Sequence, residues 1–141
     1  MKNELTWLTP ASISTSLEDG RTEEIIEQLI ELLKLTDKVT NPAAVEEAIL
    51  RRERLASTAI DDDIDAPHAL TTGVSEFCAA IGVVEHKKIY VLIAWNESNT
   101  PNLRLLAVLL ESVKNKKHRI LAAETGEQIF KIVSDAIAGA N

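Results

Sequence analysis

The chain has 141 residues, 45% hydrophobic and 26% charged, a balance typical of a folded domain with a sizeable core. Its net charge of -7 and pI near 5.0 argue against nucleic acid as a partner, because phosphate neutralisation needs clustered Lys and Arg. Ile89 to Trp95 is the longest apolar run and far too short to span a bilayer, no segment reads as a signal peptide, and Cys78 is the only cysteine, so a cytoplasmic protein without disulfides and without direct membrane insertion is expected.

Taken in chain order, residues 1–16 read as an irregular or partly extended entry, broken at Thr9-Pro10. A first helix is predicted from about Thr22 to Leu35, capped by Thr22, with Glu23 and Glu24 near its positive end. Ile25, Ile26, Leu29, Ile30, Leu32 and Leu33 recur on it at helical spacing. Asn41-Pro42 is a helix start, an N-cap followed by proline at the first helical position. That second helix runs to about Arg54 and turns Ala44, Val45, Ala48, Ile49 and Leu55 inward.

Ser57 to Ile60 reads as a short strand and 61–68 as a loop. Phe77 to Val84 and Lys88 to Trp95 are two apolar, partly β-branched runs joined by a tight Glu85-His86-Lys87 connection, the signature of a hairpin. Three helices follow: Pro101 to about Val113, a short one near His118–Ala123, and Thr125 to about Ile137 with Thr125 as N-cap and Gly139 as the stop. Helices before and after a group of strands predict an α/β fold, a mixed β-sheet flanked by helices on both faces, as one domain over 1–141.

The chemistry concentrates in Arg52 to His68. Pro67 fixes its own φ and makes a stiff segment from which the His68 imidazole leaves in a set direction. An imidazole is nucleophilic near neutral pH without an activating base, so a stiffly displayed one can carry a transferred group. The other reading of His68 is a histidine that packs a loop. Arg52 likewise reads either as a site cation or as an ordinary helix arginine. His86 and His118 have no partner pattern for metal or triad chemistry. Asp61, Asp62, Asp63 and Asp65 lack the spacing of a calcium loop, so no metal is expected and a solvated acidic loop is the simpler reading.

The residues Arg52, Glu53, Leu55, Ser57, Thr58, Ile60, Pro67 and His68 follow a pattern R-E-x-L-G-S-T-G-I-G-x-G-x-A-I-P-H. In this the chain resembles the enzyme IIA domain of the phosphoenolpyruvate-dependent sugar phosphotransferase system, fructose/mannitol type, which includes nitrogen-regulatory relatives. The segment Lys38 to Pro42 and the later order of apolar strand, polar loop and Leu-rich helix extend the resemblance over nearly the whole chain.

The resemblance implies a phosphocarrier. Its phosphoryl group would come from the histidine-containing phosphocarrier protein and pass to a IIB domain, with no cofactor. By position, His68 would be phosphorylated. Arg52 would offer a cationic fork to the phosphoryl oxygens, and Ser57 and Thr58 would pack or hydrogen-bond beside the site. Asn102 stands where many family members carry a second histidine, and could donate an amide hydrogen bond to phosphate. The four aspartates replace a glycine-rich stretch and set negative charge just upstream of His68. Asn102 and these aspartates motivate a second reading, a regulatory IIA-like module that binds partner proteins with weak or no phosphotransfer.

Overall fold

The computed structural model describes residues 5–97 and 103–139. The entry is more ordered than its sequence suggests. Thr9 and Ser12 exchange backbone-to-hydroxyl hydrogen bonds around a 3-10 turn at Pro10–Ser12, and strand β1 (Ile13–Ser14) follows directly. Helix α1 (Thr22–Leu33) begins at Thr22 as expected, but its cap lies one residue earlier: Arg21 is the N-cap, and the Glu24 carboxylate accepts from the Arg21 N–H at 2.8 Å. A 3-10 turn (Lys34–Thr36) ends it at Asp37, whose φ is 65°. Helix α2 (Pro42–Leu55) starts as predicted, with the Asn41 side chain accepting from the Ala44 N–H at 3.2 Å, a cap that contributes about 1 kcal/mol. Leu55, expected to face inward, is instead exposed, because it is the last helical residue and the chain leaves the helix there.

Half of the segment 61–68, expected as a loop, is strand. Strand β2 (Ala59–Asp61) turns at Asp62-Asp63 into β3 (Ile64–Asp65), and β4 (His68–Leu70) follows. Strand β5 (Cys78–Val84) and β6 (Lys88–Trp95) form the predicted hairpin. Both β3 and β4 pair parallel with β6 in one register, from Ile64 opposite Ile89 to Leu70 opposite Trp95. They are one extended run interrupted at Ala66-Pro67. Proline has no N–H to donate to the ladder, yet its carbonyl still accepts from the Ile93 N–H at 3.0 Å. Aspartates and a proline hide this strand from a propensity reading, while the buried Ile64 and Ala66 hold it in place.

The sheet order is β1-β5-β6-β3-β2, with β4 also on β6. It separates two cores. On one face Ile64, Ala66, Ile81, Val91 and Ile93 pack with helices α3 (Leu103–Asn115), α4 (Lys117–Ala122) and α5 (Gly126–Gly139). On the other, Cys78, Ala80, Leu92 and Ala94 pack with α1 and α2. The expected mixed sheet with helices on both faces is therefore what forms. Thr125 caps α5 as expected, accepting from Gln128 N–H at 3.1 Å. Gly139 is the last helical residue rather than the one beyond it. No helix among the described residues is long and apolar enough to cross a membrane.

Candidate functional site at His68

His68 opens β4 and is half-buried. Side chains alternate along a strand, so His68 shares a face with Ile64 and Ala66, and Ala69 turns to the α1–α2 side. Its ring lies on Trp95, with centroids 6.0 Å apart and planes at 17°. Trp95 ends β6 and therefore lines the site.

The imidazole is oriented by one hydrogen bond. His68 Nδ1 lies 2.7 Å from the Ala66 carbonyl oxygen. A carbonyl only accepts, so Nδ1 carries the proton and Nε2 keeps its lone pair. Such a bond contributes about 1 kcal/mol net, a bias of roughly fivefold, and breaking it would strand a buried carbonyl at a further cost of about 1–3 kcal/mol. The ring thus presents Nε2 as the nitrogen with a lone pair.

The other site residues of the sequence reading fall as follows. Arg52 lies in the last turn of α2, and its Nη1 donates to the Ala56 carbonyl at 3.1 Å. Among the described residues no carboxylate pairs with Arg52 and no hydrogen bond joins it to His68. Arg51, one residue earlier, is paired with Glu47 at 3.3 Å. Ser57 is exposed and its Oγ accepts from the Ala59 N–H at 3.1 Å. Thr58 is buried, and its hydroxyl donates to Glu53 Oε2 at 2.5 Å. Asn102 lies outside the described residues.

The aspartates do not crowd His68. At roughly 3.3 Å per residue, the Asp62-Asp63 turn is about 17 Å up the strand, beyond the ~8 Å Debye length. Asp65 is nearer but faces the opposite side of the sheet from His68 and is tied to Lys88 at 3.1 Å. Lys117 of α4 binds both Asp61 and Asp63 at 3.2 Å. The Asp62 N–H and the Lys117 ammonium together hold the Asp61 carboxyl below the usual carboxylate range. The negative charge expected just upstream of His68 is carried away from it by an extended, lysine-tethered hairpin. Among the described residues no cluster of three His, Cys, Asp or Glu side chains is placed to hold a metal.

Glu53 is the site-adjacent residue that sequence reasoning passed over. It stood inside the quoted motif, yet nothing in its spacing told that Thr58 would fold back onto it.

Comparison with known proteins agrees with this fold. Residues 7–136 match the family described as phosphoenolpyruvate-dependent sugar phosphotransferase system, EIIA 2. The fructose-specific EIIABC component of Bacillus subtilis (strain 168) is 27% identical, over 90% of this chain and 22% of its own length. The 2-O-alpha-mannosyl-D-glycerate-specific EIIABC component of Escherichia coli (strain K12) is 26% identical, over 80% and 20%. The chain thus spans about a fifth of these relatives. Among solved structures, the nitrogen regulatory protein IIA-Ntr from Neisseria meningitidis superposes with a TM-score of 0.76 at 20% identity, covering 90% of this chain and 96% of that one. IIA mannitol from Escherichia coli gives 0.73 at 16%, covering 89% and 97%. The enzyme IIA in an Escherichia coli complex of IIAMTL with phosphorylated IIBMTL gives 0.71 at 17%, covering 92% and 95%. At these identities the superpositions speak for the fold.

Proposed function

Because the chain belongs to the phosphoenolpyruvate-dependent sugar phosphotransferase system EIIA 2 family, we propose that it is a phosphohistidine carrier in which His68 takes a phosphoryl group on Nε2. The donor is the histidine-containing phosphocarrier protein and the acceptor a IIB component, in the cytoplasm, in service of sugar uptake. The observation that carries the reading is the 2.7 Å bond from His68 Nδ1 to the Ala66 carbonyl, which leaves Nε2 as the nucleophilic atom.

Transfer between two imidazoles balances without a co-reactant. The Nε2 lone pair attacks phosphorus, the donor's N–P bond breaks, and the donor departs as an imidazole. The proton on Nδ1 stays with the Ala66 carbonyl, which stabilises positive charge on the phosphorylated ring. Catalysis of such a step is mostly positioning and charge neutralisation. Trp95 and Ala66 fix the ring. Arg52, tethered through Nη1 to the Ala56 carbonyl, is the cation that would swing to the phosphoryl oxygens. Asn102 is proposed as an amide donor to the same oxygens. The complex of IIAMTL with phosphorylated IIBMTL supports a IIB component as the partner class.

Incubation with phosphoenolpyruvate and the two general phosphotransferase proteins, followed by intact mass, tests the reading. One phosphoryl group should appear, stable in base and labile in acid, and His68→Ala should not acquire it. Absence of the group, or its persistence in His68→Ala, overturns the carrier and leaves the regulatory module as the better account.

A further inference from the structure

We infer that Glu53 and Thr58 are positioning residues for His68, acting through the Ala66 peptide rather than on the phosphoryl group. The inference rests on the carrier reading for its purpose, though the contacts that support it do not.

Four hydrogen-bonded groups run in series from α2 to the imidazole. The Thr58 hydroxyl donates to Glu53 Oε2 at 2.5 Å, a charge-assisted bond in a partly buried setting. The Thr58 carbonyl accepts from the Ala66 N–H at 3.0 Å. The Ala66 carbonyl accepts from His68 Nδ1 at 2.7 Å. In an extended residue the N–H and C=O face the same side, so the Ala66 carbonyl points towards Thr58 and away from β6. There β2 has not yet begun, and among the described residues no backbone N–H bonds to that oxygen. Pro67, next in line, has none to offer. The imidazole fills the gap.

The Ala66 peptide is therefore held between β6, through the Pro67 carbonyl and Ile93 N–H, and Thr58, which Glu53 holds on the last turns of α2. The same helix end carries Arg52. One rigid element thus sets both the direction of the nucleophile and the origin of the cation. With the hydroxyl deleted, the Thr58–Ala66 pair is tied to α2 only through the chain. The carbonyl, still anchored on the β6 side, is then less firmly aimed at the ring, and the preference for a proton on Nδ1 weakens.

The test reads the tautomer directly. Histidine labelled with nitrogen-15 is introduced into the unphosphorylated protein, His68 is assigned with His68→Gln, and two-bond proton–nitrogen correlations report which ring nitrogen is protonated. The wild type is expected to show Nδ1–H. Thr58→Val should move the population towards Nε2–H, and Thr58→Ser should restore it. Glu53→Gln, which keeps shape and an acceptor, should give an intermediate result and serves if Thr58→Val does not fold. In the phosphorylation assay Thr58→Val should slow the initial rate by roughly tenfold to a hundredfold, the cost of a nucleophile misplaced by about 1 Å. A mere structural staple would lower the urea midpoint without touching the tautomer. If folded Thr58→Val, or Glu53→Gln in its place, keeps Nδ1–H as in wild type, the inference falls. Failure of the wild type to accept phosphate, with the tautomer still responding to Thr58, would sink the carrier reading and leave this one standing.

Discussion

The His68 imidazole rests on the Trp95 indole, centroids 6.0 Å apart and planes at 17°. The two side chains come from neighbouring parallel strands, with His68 opposite Ile93 and Trp95 opposite Leu70, so they meet diagonally on one face. The indole supports one face of the ring and the Ala66 carbonyl fixes its edge.

Removing that support should slow chemistry before it harms the fold. Trp95→Ala is expected to reduce the single-turnover rate of His68 phosphorylation on the order of tenfold by loosening the ring. Trp95→Phe keeps a stacking surface and should stay within about threefold of wild type. Equal rates for all three proteins would show that the stack positions nothing.

The acidic hairpin should be pH-sensitive at its anchor. The Asp61 carboxyl is held low first by the Asp62 N–H and then by Lys117. A carboxyl whose folded pKa lies below its unfolded value of about 3.9 contributes its stability in full above that value and loses it as pH falls further. Carbon-13 titration of Asp61 should give a midpoint below the ordinary one. Lys117→Met should move it only part of the way up, because the backbone donor remains. An unchanged midpoint in Lys117→Met would contradict the pairing.

Gly126 opens α5, where alanine would ordinarily stabilise a helix. Here an added Cβ would lie 2.5 Å from the Ile13 carbonyl oxygen and 3.0 Å from that of Pro10. Both are backbone atoms that cannot rotate away. Gly126→Ala should cost about 1–3 kcal/mol by overpacking, outweighing a propensity gain of about 1 kcal/mol. Urea unfolding decides it, and a rise in midpoint would refute the close approach.

Cys78 lies at the start of β5, fully buried. Burial pushes its thiol up to about 12, with the neighbouring Thr36 hydroxyl and the Lys38 charge pulling the other way. Since the thiolate is the reactive form, the folded protein should resist iodoacetamide at pH 8 and react fully only in denaturant. Prompt alkylation of the native protein would show that this strand opens.

The sequence alone determined the class of fold, three of the helix starts and the central hairpin, because periodicity, caps and proline positions are local properties. Asn41-Pro42 before α2, Thr125 before α5 and the apolar runs around Glu85-His86 each say what they are within a few residues. It also singled out His68 and Arg52 through motif resemblance. What tertiary structure decided is how these residues are held. Strand β3–β4 exists because β6 offers a parallel edge and a core waits for Ile64 and Ala66, and no local preference of aspartate and proline foretells that. The same long-range pairing carries the aspartate turn away from His68, lays Trp95 under its ring, and brings Thr58 back to Glu53. The protonated nitrogen of His68 follows from a carbonyl two residues away, a neighbour in sequence whose orientation only the packed sheet could set.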